Sequence, residues 1–294
     1  VLQHSDIQEI EDFKWKGFRL KAIDGSSVQL MDTQENQELY PQSVVQKKGC
    51  GFPIMGFVGL VDLGQGIWQD WMTAKHTEHD LHAAFKLIKN LNQGDVLLGD
   101  RAFCSYDLIA KILERGAHIV MRLHQSRARF IDMRNGKCLG LGDREVVWKR
   151  PPFRPNGGPS REVWKSLPQS IRLRIVKSRA KNREGKWTDY YVVTSLLDPW
   201  EYPSHDITEL YLKRWEIELR FRDYKSTLGM EKLEVKTPDA ARKTLAISIL
   251  AHNLLRLFMT QGAKVNEICV SKISFKGALD LVLNFRYLGH QKEK

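Results

Sequence analysis

Between residues 205 and 229 the chain carries a helical pattern with two separate polar faces, and no other feature restricts its architecture as much. At about 100° per residue, Tyr211, Arg214, Glu218, Arg222 and Lys225 fall on one face only about 80° wide. Leu210, Ile217, Phe221, Tyr224 and Leu228 lie to one side of it and Leu212, Trp215 and Leu219 to the other. Lys213, Glu216, Arg220 and Asp223 form the remaining face, which reads as the solvent side. A surface helix has one apolar and one polar side. A second polar stripe fenced by apolar ones therefore predicts a helix laid across other elements, with the stripe lining a cleft. One carboxylate among three cations and a phenol suits a wall that binds phosphate and metal together. The competing reading is a ladder of i,i+4 ion pairs from Arg214 to Glu218 to Arg222.

The elements available to pack under that helix are strands. Phe18 to Asp24 reads as a strand, Gly25 to Ser27 as a turn and Val28 to Asp32 as a returning strand. Pro53 to Leu63 and Ile67 to Ala74 form a hairpin around Gly64-Gln65-Gly66. The period then changes: His79 to Leu91 is helical, Val96 to Asp100 a short buried strand, Ser105 caps a helix to Arg115, and Ala117 to Leu123 is a strand. After a segment with strand-like runs at Glu145 to Trp148 and Ile171 to Val176, Trp187 to Leu197 returns as a strand. A second long helix, 238 to 261, opens on Thr237 with Pro238 at its first position. Strands followed by alternating helices and strands give an α/β class with a partly antiparallel, mixed sheet. The boundaries follow: 1–126 and 187–262 as two parts of one catalytic domain, 127–186 as a β-rich insertion, and 263–294 as a C-terminal tail.

Charge is concentrated in the insertion. Residues 127–186 hold 17 of the 46 Lys and Arg but 5 of the 35 Asp and Glu, so the segment is +12 and the rest of the chain −1. A near-neutral body with one basic block is the footprint of a polyanion binder, since cations that neutralise phosphates release condensed counterions. The competing reading is a solvated basic loop. The chain has no glycine-rich phosphate loop, which argues against an ATPase and any use of ATP. Cys50, Cys104, Cys138 and Cys269 include no C-x-x-C pair, which suits a reducing cytoplasm. The longest apolar stretch, Leu245 to Met259, is interrupted by His252, Asn253 and Arg256, so no membrane span is expected. Val1 in place of Met suggests a longer product.

Two further carboxylates stand out. Asp100 ends the strand Val96-Leu97-Leu98, and the carboxyl ends of strands are where α/β sheets bind ligands. Asp24 ends a strand before Gly25-Ser26-Ser27, but Asp-Gly is common hairpin chemistry, and Asp32, Asp62, Asp70 and Asp95 are rival acids. Spacing alone does not select it.

The helix reads Tyr211-x2-Arg214-x3-Glu218-x6-Lys225, which resembles the Y-x2-R-x3-E-x6-K signature of DDE transposases of the insertion-sequence-4 family. Leu97-Leu98-Gly99-Asp100-Arg101 is similar to that family's second acidic motif and Ile23-Asp24-Gly25-Ser26-Ser27 to its first. The 118 residues from Asp100 to Glu218 fit its β-rich insertion, here the basic block, and the resemblance covers about 20 to 260. The family's extended N-terminal part is absent from this sequence. The resemblance implies a ribonuclease-H-like fold flanked by helices, in which Asp24, Asp100 and Glu218 are catalytic and bind Mg²⁺ or Mn²⁺. It also implies DNA contacts from Tyr211, Arg214 and Lys225, with Arg222 and Arg101 beside them. Tyr190 falls where relatives carry an aromatic that stacks on a base flipped from the DNA end; the neighbouring alternative is Tyr191.

The implied function is a cut-and-paste DNA transposase acting on transposon ends and target DNA, as a homodimer in the DNA complex, in a prokaryotic cytoplasm and at the nucleoid when bound. The alternatives are a truncated or domesticated relic that binds DNA without transposing, and a nuclease on the same fold. Other residues carry less. His76, His79 and His82 are spaced by three, which drifts about 60° per step around a helix and does not suit three-way ligation. Trp68 and Trp71 read as hairpin packing.

Overall fold

Val96, Leu97 and Leu98 are all buried, and apolar side chains that alternate to both faces of a strand place it at the centre of a covered sheet. The computed structural model describes residues 14–290 apart from 48, 76–79, 129–130, 132–134, 154–158 and 182–183. His76 and His79 thus lie outside the described residues. Among those described, eleven strands share one sheet. In chain order they are β1 (Lys14–Trp15), β2 (Phe18–Leu30), β3 (Ile54–Asp62), β4 (Ile67–Lys75), β5 (Asp95–Gly99), β6 (His118–Arg122), β7 (Lys137–Gly140), β8 (Asp143–Lys149), β9 (Ser170–Lys181), β10 (Trp187–Thr194) and β11 (Lys232–Leu233). The helices are α1 (Gln34–Leu39), α2 (Asp80–Leu87), α3 (Tyr106–Glu114), α4 (Gln125–Ala128), α5 (Arg161–Ser166), α6 (Ser204–Leu212), α7 (Trp215–Arg222), α8 (Pro238–Val265) and α9 (Phe275–His290).

The strand order is β4-β3-β2-β5-β6-β10-β9-β8-β7, with β1 and β11 also paired to β2. The β2/β5 and β5/β6 pairs are parallel and the flanking ladders antiparallel, so the sheet is mixed. Strands β7 to β9, within the basic segment 127–186, continue that sheet edge to edge through β10. Val96, Leu98, Val120 and Val192 face a core formed with α6, α7 and α8. Leu97, Ile119, Met121 and Val193 face a second core with α2 and α3. Sequence reading and structure agree on the hairpin β3–β4 and on the start of α8, where the Thr237 side chain accepts from Ala240 N–H. Trp68 is core, packed on Phe57 and Phe221. Among the described residues no helix is long and apolar enough to cross a membrane.

Three expectations need correction. Gly25 to Ser27 is not a turn: β2 runs unbroken through it, paired with β3 from Lys21↔Asp62 to Gln29↔Ile54. A Cβ on Gly25 would meet the Asp80 carboxylate at 2.6 Å, so a larger residue there would have to displace that side chain. Residues 205–229 are not one regular helix. Arg214 N–H and Ile217 N–H bond three residues back, to Tyr211 and Arg214, which tightens the chain between α6 and α7. A π-turn over Asp223–Thr227 then widens it. Finally, the expected solvent face is only partly at the surface: Lys213 is exposed, but the C-terminal half of that face turns inward. Asp223 is buried and pairs with Arg220 at 3.0 Å, beside the buried Arg256 of α8. In exchange Leu212, Trp215 and Leu219 are exposed, so the charged stripe is fenced on one side only. The C-terminal segment contains α9, whose Phe275 and Ala278 pack with Leu255 and Met259 of α8.

Candidate active site at the carboxyl edge of the parallel strands

The parallel ladders of β2, β5 and β6 stop at one level, and the residues one step beyond the last parallel pairs form a row. Ile23 pairs with Gly99 and Gly99 with Met121, so the next step in register aligns Asp24, Asp100 and Arg122. In each strand these continue the alternation of Ala22, Leu98 and Val120, which face the core under α6 and α7. Arg122 in turn pairs with Val192 of β10, two residues from Tyr190 on the same face.

Helix α7 closes the row from above. Arg214, at the tightened junction, donates from Nη1 to Asp24 Oδ2 at 3.1 Å and from Nη2 to Glu218 Oε1 at 3.1 Å. Asp24 and Glu218 thus share one guanidinium although 194 positions separate them in sequence. Burial pushes the Asp24 carboxyl up to about 6; the backbone N–H of Gly25 and the charge of Arg214 oppose that rise, and the charges of Asp100 and Glu218 add to it. The three acids therefore feel one another. Burial disfavours a charge on Arg214, but Tyr211, Asp24 and Glu218 outweigh it and raise its pKa. Asp100 Oδ1 accepts from Ala102 N–H at 2.7 Å, and the loop it begins is tied by Arg127, which donates to the carbonyls of Arg101, Ala102 and Cys104.

An aromatic and cationic wall adjoins the acids. The Tyr190 and Tyr211 rings lie 5.9 Å apart, with the Arg122 guanidinium 5.6 Å from the Tyr190 centroid. Both tyrosines are largely buried. Arg101 and Arg222 are exposed, and Lys225 lies in the π-turn, half buried near Glu231, where burial lowers its pKa. The expected stripe thus splits: Arg214 bonds Asp24 and Glu218 with the Tyr211 ring beside it, while Arg222 and Lys225 lie one turn and more beyond. Arg122 is a member of the row that the sequence reading missed. Its place at the end of a strand is one that an ordinary surface cation can share.

Three carboxylates are a suitable donor set for a hard divalent cation. Among the described residues no three His, Cys, Asp or Glu side chains are gathered closely enough to hold one as they stand. The guanidinium of Arg214 stands in as the cation between Asp24 and Glu218, so the acids fit a metal by chemistry and by their need for positive charge.

The raised pKa of Asp24 has a consequence for the metal-free protein. Between pH 3.8 and about 6 the folded state keeps a proton that the unfolded chain has released. Stability therefore falls as pH rises through that window and the full cost is present above it. Asp24→Asn should melt higher than the parent above pH 6 in chelator, by about 1–3 kcal/mol, with the difference gone below pH 3.8. Thermal melts of both proteins across that range test it; parallel curves would mean that Asp24 ionises normally.

A family model described as transposase DDE domain matches residues 15–254. The transposase InsG for insertion sequence element IS4 of Escherichia coli (strain K12) is 27% identical over 280 residues, covering 92% of this chain and 59% of InsG. A probable transposase for insertion sequence element IS5377 of Geobacillus stearothermophilus is 27% identical over 184 residues, 63% of this chain and 45% of that protein. The chain thus spans little more than half of the first of these relatives. Among solved structures, the piggyBac transposase synaptic complex with hairpin DNA matches with a TM-score of 0.53 at 11% identity, over 89% of this chain and 51% of that one. That likeness concerns the fold, which is the ribonuclease-H-like mixed sheet flanked by helices.

Proposed function

Because the chain belongs to the transposase DDE-domain family, with relatives of the insertion-sequence-4 type, we propose that it cleaves DNA at transposon ends and transfers the freed strand into target DNA. The observation that supports this reading is the guanidinium of Arg214 shared by Asp24 and Glu218, with Asp100 next to Asp24 in the register of β2 and β5. These three acids are the residues that would hold Mg²⁺ or Mn²⁺. When bound, such ions stabilise the attacking and leaving oxygens of an in-line phosphoryl displacement.

The chain's own groups have separable tasks in this reading. Glu218, on the more exposed side of the site, faces incoming DNA, while Asp24 and Asp100 are held by the sheet and by the bonds from Gly25 and Ala102. Arg122 and Arg214 bind backbone phosphate beside the cut, since a planar fork suits phosphate oxygens. Arg101, Arg222 and Lys225 extend that track. Tyr211 supports Tyr190, whose ring receives an unstacked base. Tyr190→Ala should impair end processing more than binding, because stacking contributes about 1–3 kcal/mol per base; loss confined to Tyr191→Ala would move the role by one residue.

The division into 1–126, 127–186, 187–262 and 263–294 enters the proposal with the insertion as a DNA-binding part. Its cations are not equivalent. Arg127, Arg150 and Arg174 are spent on internal carbonyls or on Asp143, whereas Lys149, Lys165 and Lys181 are exposed. Neutralising those three lysines should flatten the salt dependence of duplex binding by roughly 0.9 in log-log slope per lost phosphate contact. An unchanged slope would make the block a solvated surface.

The partners are transposon-end and target DNA, handled by a homodimer in a prokaryotic cytoplasm; the fold neighbour's synaptic complex with hairpin DNA supports a paired arrangement. The deciding experiment is strand transfer from a pre-cut end with Mg²⁺. Joined product supports a transposase, nicking without joining supports a nuclease, and binding alone supports a relic.

A further inference from the structure

Arg214 is held tightly but incompletely. Its two terminal nitrogens are bonded to Asp24 and Glu218, yet its buried Nε has no hydrogen-bond partner, and a buried donor left unmade is unfavourable. Its guanidinium lies 5.2 Å from the Trp215 ring centroid and 6.0 Å from that of Tyr211, two aromatic faces that can carry it when it leaves the acids. While it bridges Asp24 and Glu218, the position a divalent cation needs between those carboxylates is taken.

From this geometry we infer that Arg214 is a resident counter-ion that must leave Asp24 and Glu218 before these carboxylates can take a metal ion, and that the released fork is then free for a DNA phosphate. The inference rests on the carboxylate assignment above. Metal and arginine compete for the same two oxygens, so anything that draws the guanidinium outward favours metal binding, and metal binding presents the guanidinium to DNA. By linkage the two effects are equal in size. Arg214 is thus a positioning residue whose two arrangements couple the metal site to the phosphate track.

The test measures Mn²⁺ affinity by counting free ion with electron paramagnetic resonance, without DNA. Arg214→Gln should bind Mn²⁺ about tenfold more tightly than the parent, within the usual range of such couplings. Arg214→Lys keeps the charge but lacks the planar fork that spans both acids, so it should also bind more tightly, by a smaller factor. An Arg214→Lys affinity equal to the parent's would reduce the effect to a through-space field and overturn the competition. So would an Arg214→Gln affinity no higher than the parent's. A second readout needs no change at Arg214. Mg²⁺ should alter the tryptophan emission of the parent as the guanidinium shifts against the Trp215 ring, and Trp215→Phe should lose that change; an equal change in Trp215→Phe also counts against release. Asp24→Asn and Glu218→Gln serve as the control on the underlying reading. If they bind Mn²⁺ as the parent does, the carboxylate assignment fails, whatever the Arg214 variants do.

Discussion

Glu218→Gln should leave a folded protein that binds DNA and does not cut it. The substitution keeps the size and the hydrogen-bonding outline of the side chain but removes the negative charge that recruits a cation. Glu218 is 41% exposed, so loss of its pair with Arg214 should destabilise the fold by less than about 1 kcal/mol. The effect on cleavage should be at least about a thousandfold, the upper scale for removing one electrostatic stabiliser of a transition state. Asp24→Asn and Asp100→Asn should match it, and combining the three should add little, as for groups that act as a unit. The measurement is Mg²⁺-dependent nicking of a cognate end, with duplex binding in parallel. Cutting at the parent rate by Glu218→Gln would return the Arg214–Glu218 contact to an ordinary i,i+4 ion pair and end the proposed mechanism.

The parts of this site differed in how far the sequence disclosed them. Asp100 is legible because a short apolar run followed by an acid and a helix cap is a local signal, and β5 ends one residue before it. Asp24 is not separable from its rivals, because Asp-Gly reads as a turn until a partner strand is known; it is pairing with β3 that keeps β2 straight through it. Arg122 also stands at the end of a strand, but a lone arginine there has no sequence signal that separates it from an ordinary surface cation. Helix periodicity located Tyr211, Arg214 and Glu218 but could not foresee the tightened junction or the π-turn, which no Pro or Gly within 205–228 announces. Those irregularities accompany tertiary packing: Asp223, Arg220 and Arg256 are drawn against one another between α7 and α8, and Leu212, Trp215 and Leu219 turn outward. Charge counting has a similar blind spot. It registered the basic block but not which of its arginines are already committed to carbonyls and acids.

Arg174→Ala should be the most destabilising single change in the insertion, and its effect should reach the active site. Arg174 is fully buried on β9 and donates from Nε to Asp143 Oδ1 at 2.8 Å, with a second bond from Nη2 to the other carboxylate oxygen. Its Nη1 donates to the carbonyl of Tyr202, in the turn that leads into α6. One side chain therefore ties the inserted strands to the segment that sets the start of the helix carrying Tyr211. Truncating it strands a buried carboxylate and a buried carbonyl, and breaking such a pair from one side costs about 3–5 kcal/mol. The neighbouring Arg172–Glu145 pair offers an internal comparison. It joins the same two strands, but the Arg172 side chain is 66% exposed, so Arg172→Ala should cost less than about 1 kcal/mol. Denaturant unfolding of both variants gives the two numbers. The double variant Arg174→Met with Asp143→Leu should recover much of the loss, because replacing both charges removes the desolvation penalty along with the attraction. If the double variant folds well but processes DNA ends poorly, the bond to Tyr202 is what orients α6. If Arg174→Ala costs no more than Arg172→Ala, burial has not made this pair matter, and the insertion is anchored by its strand pairing alone.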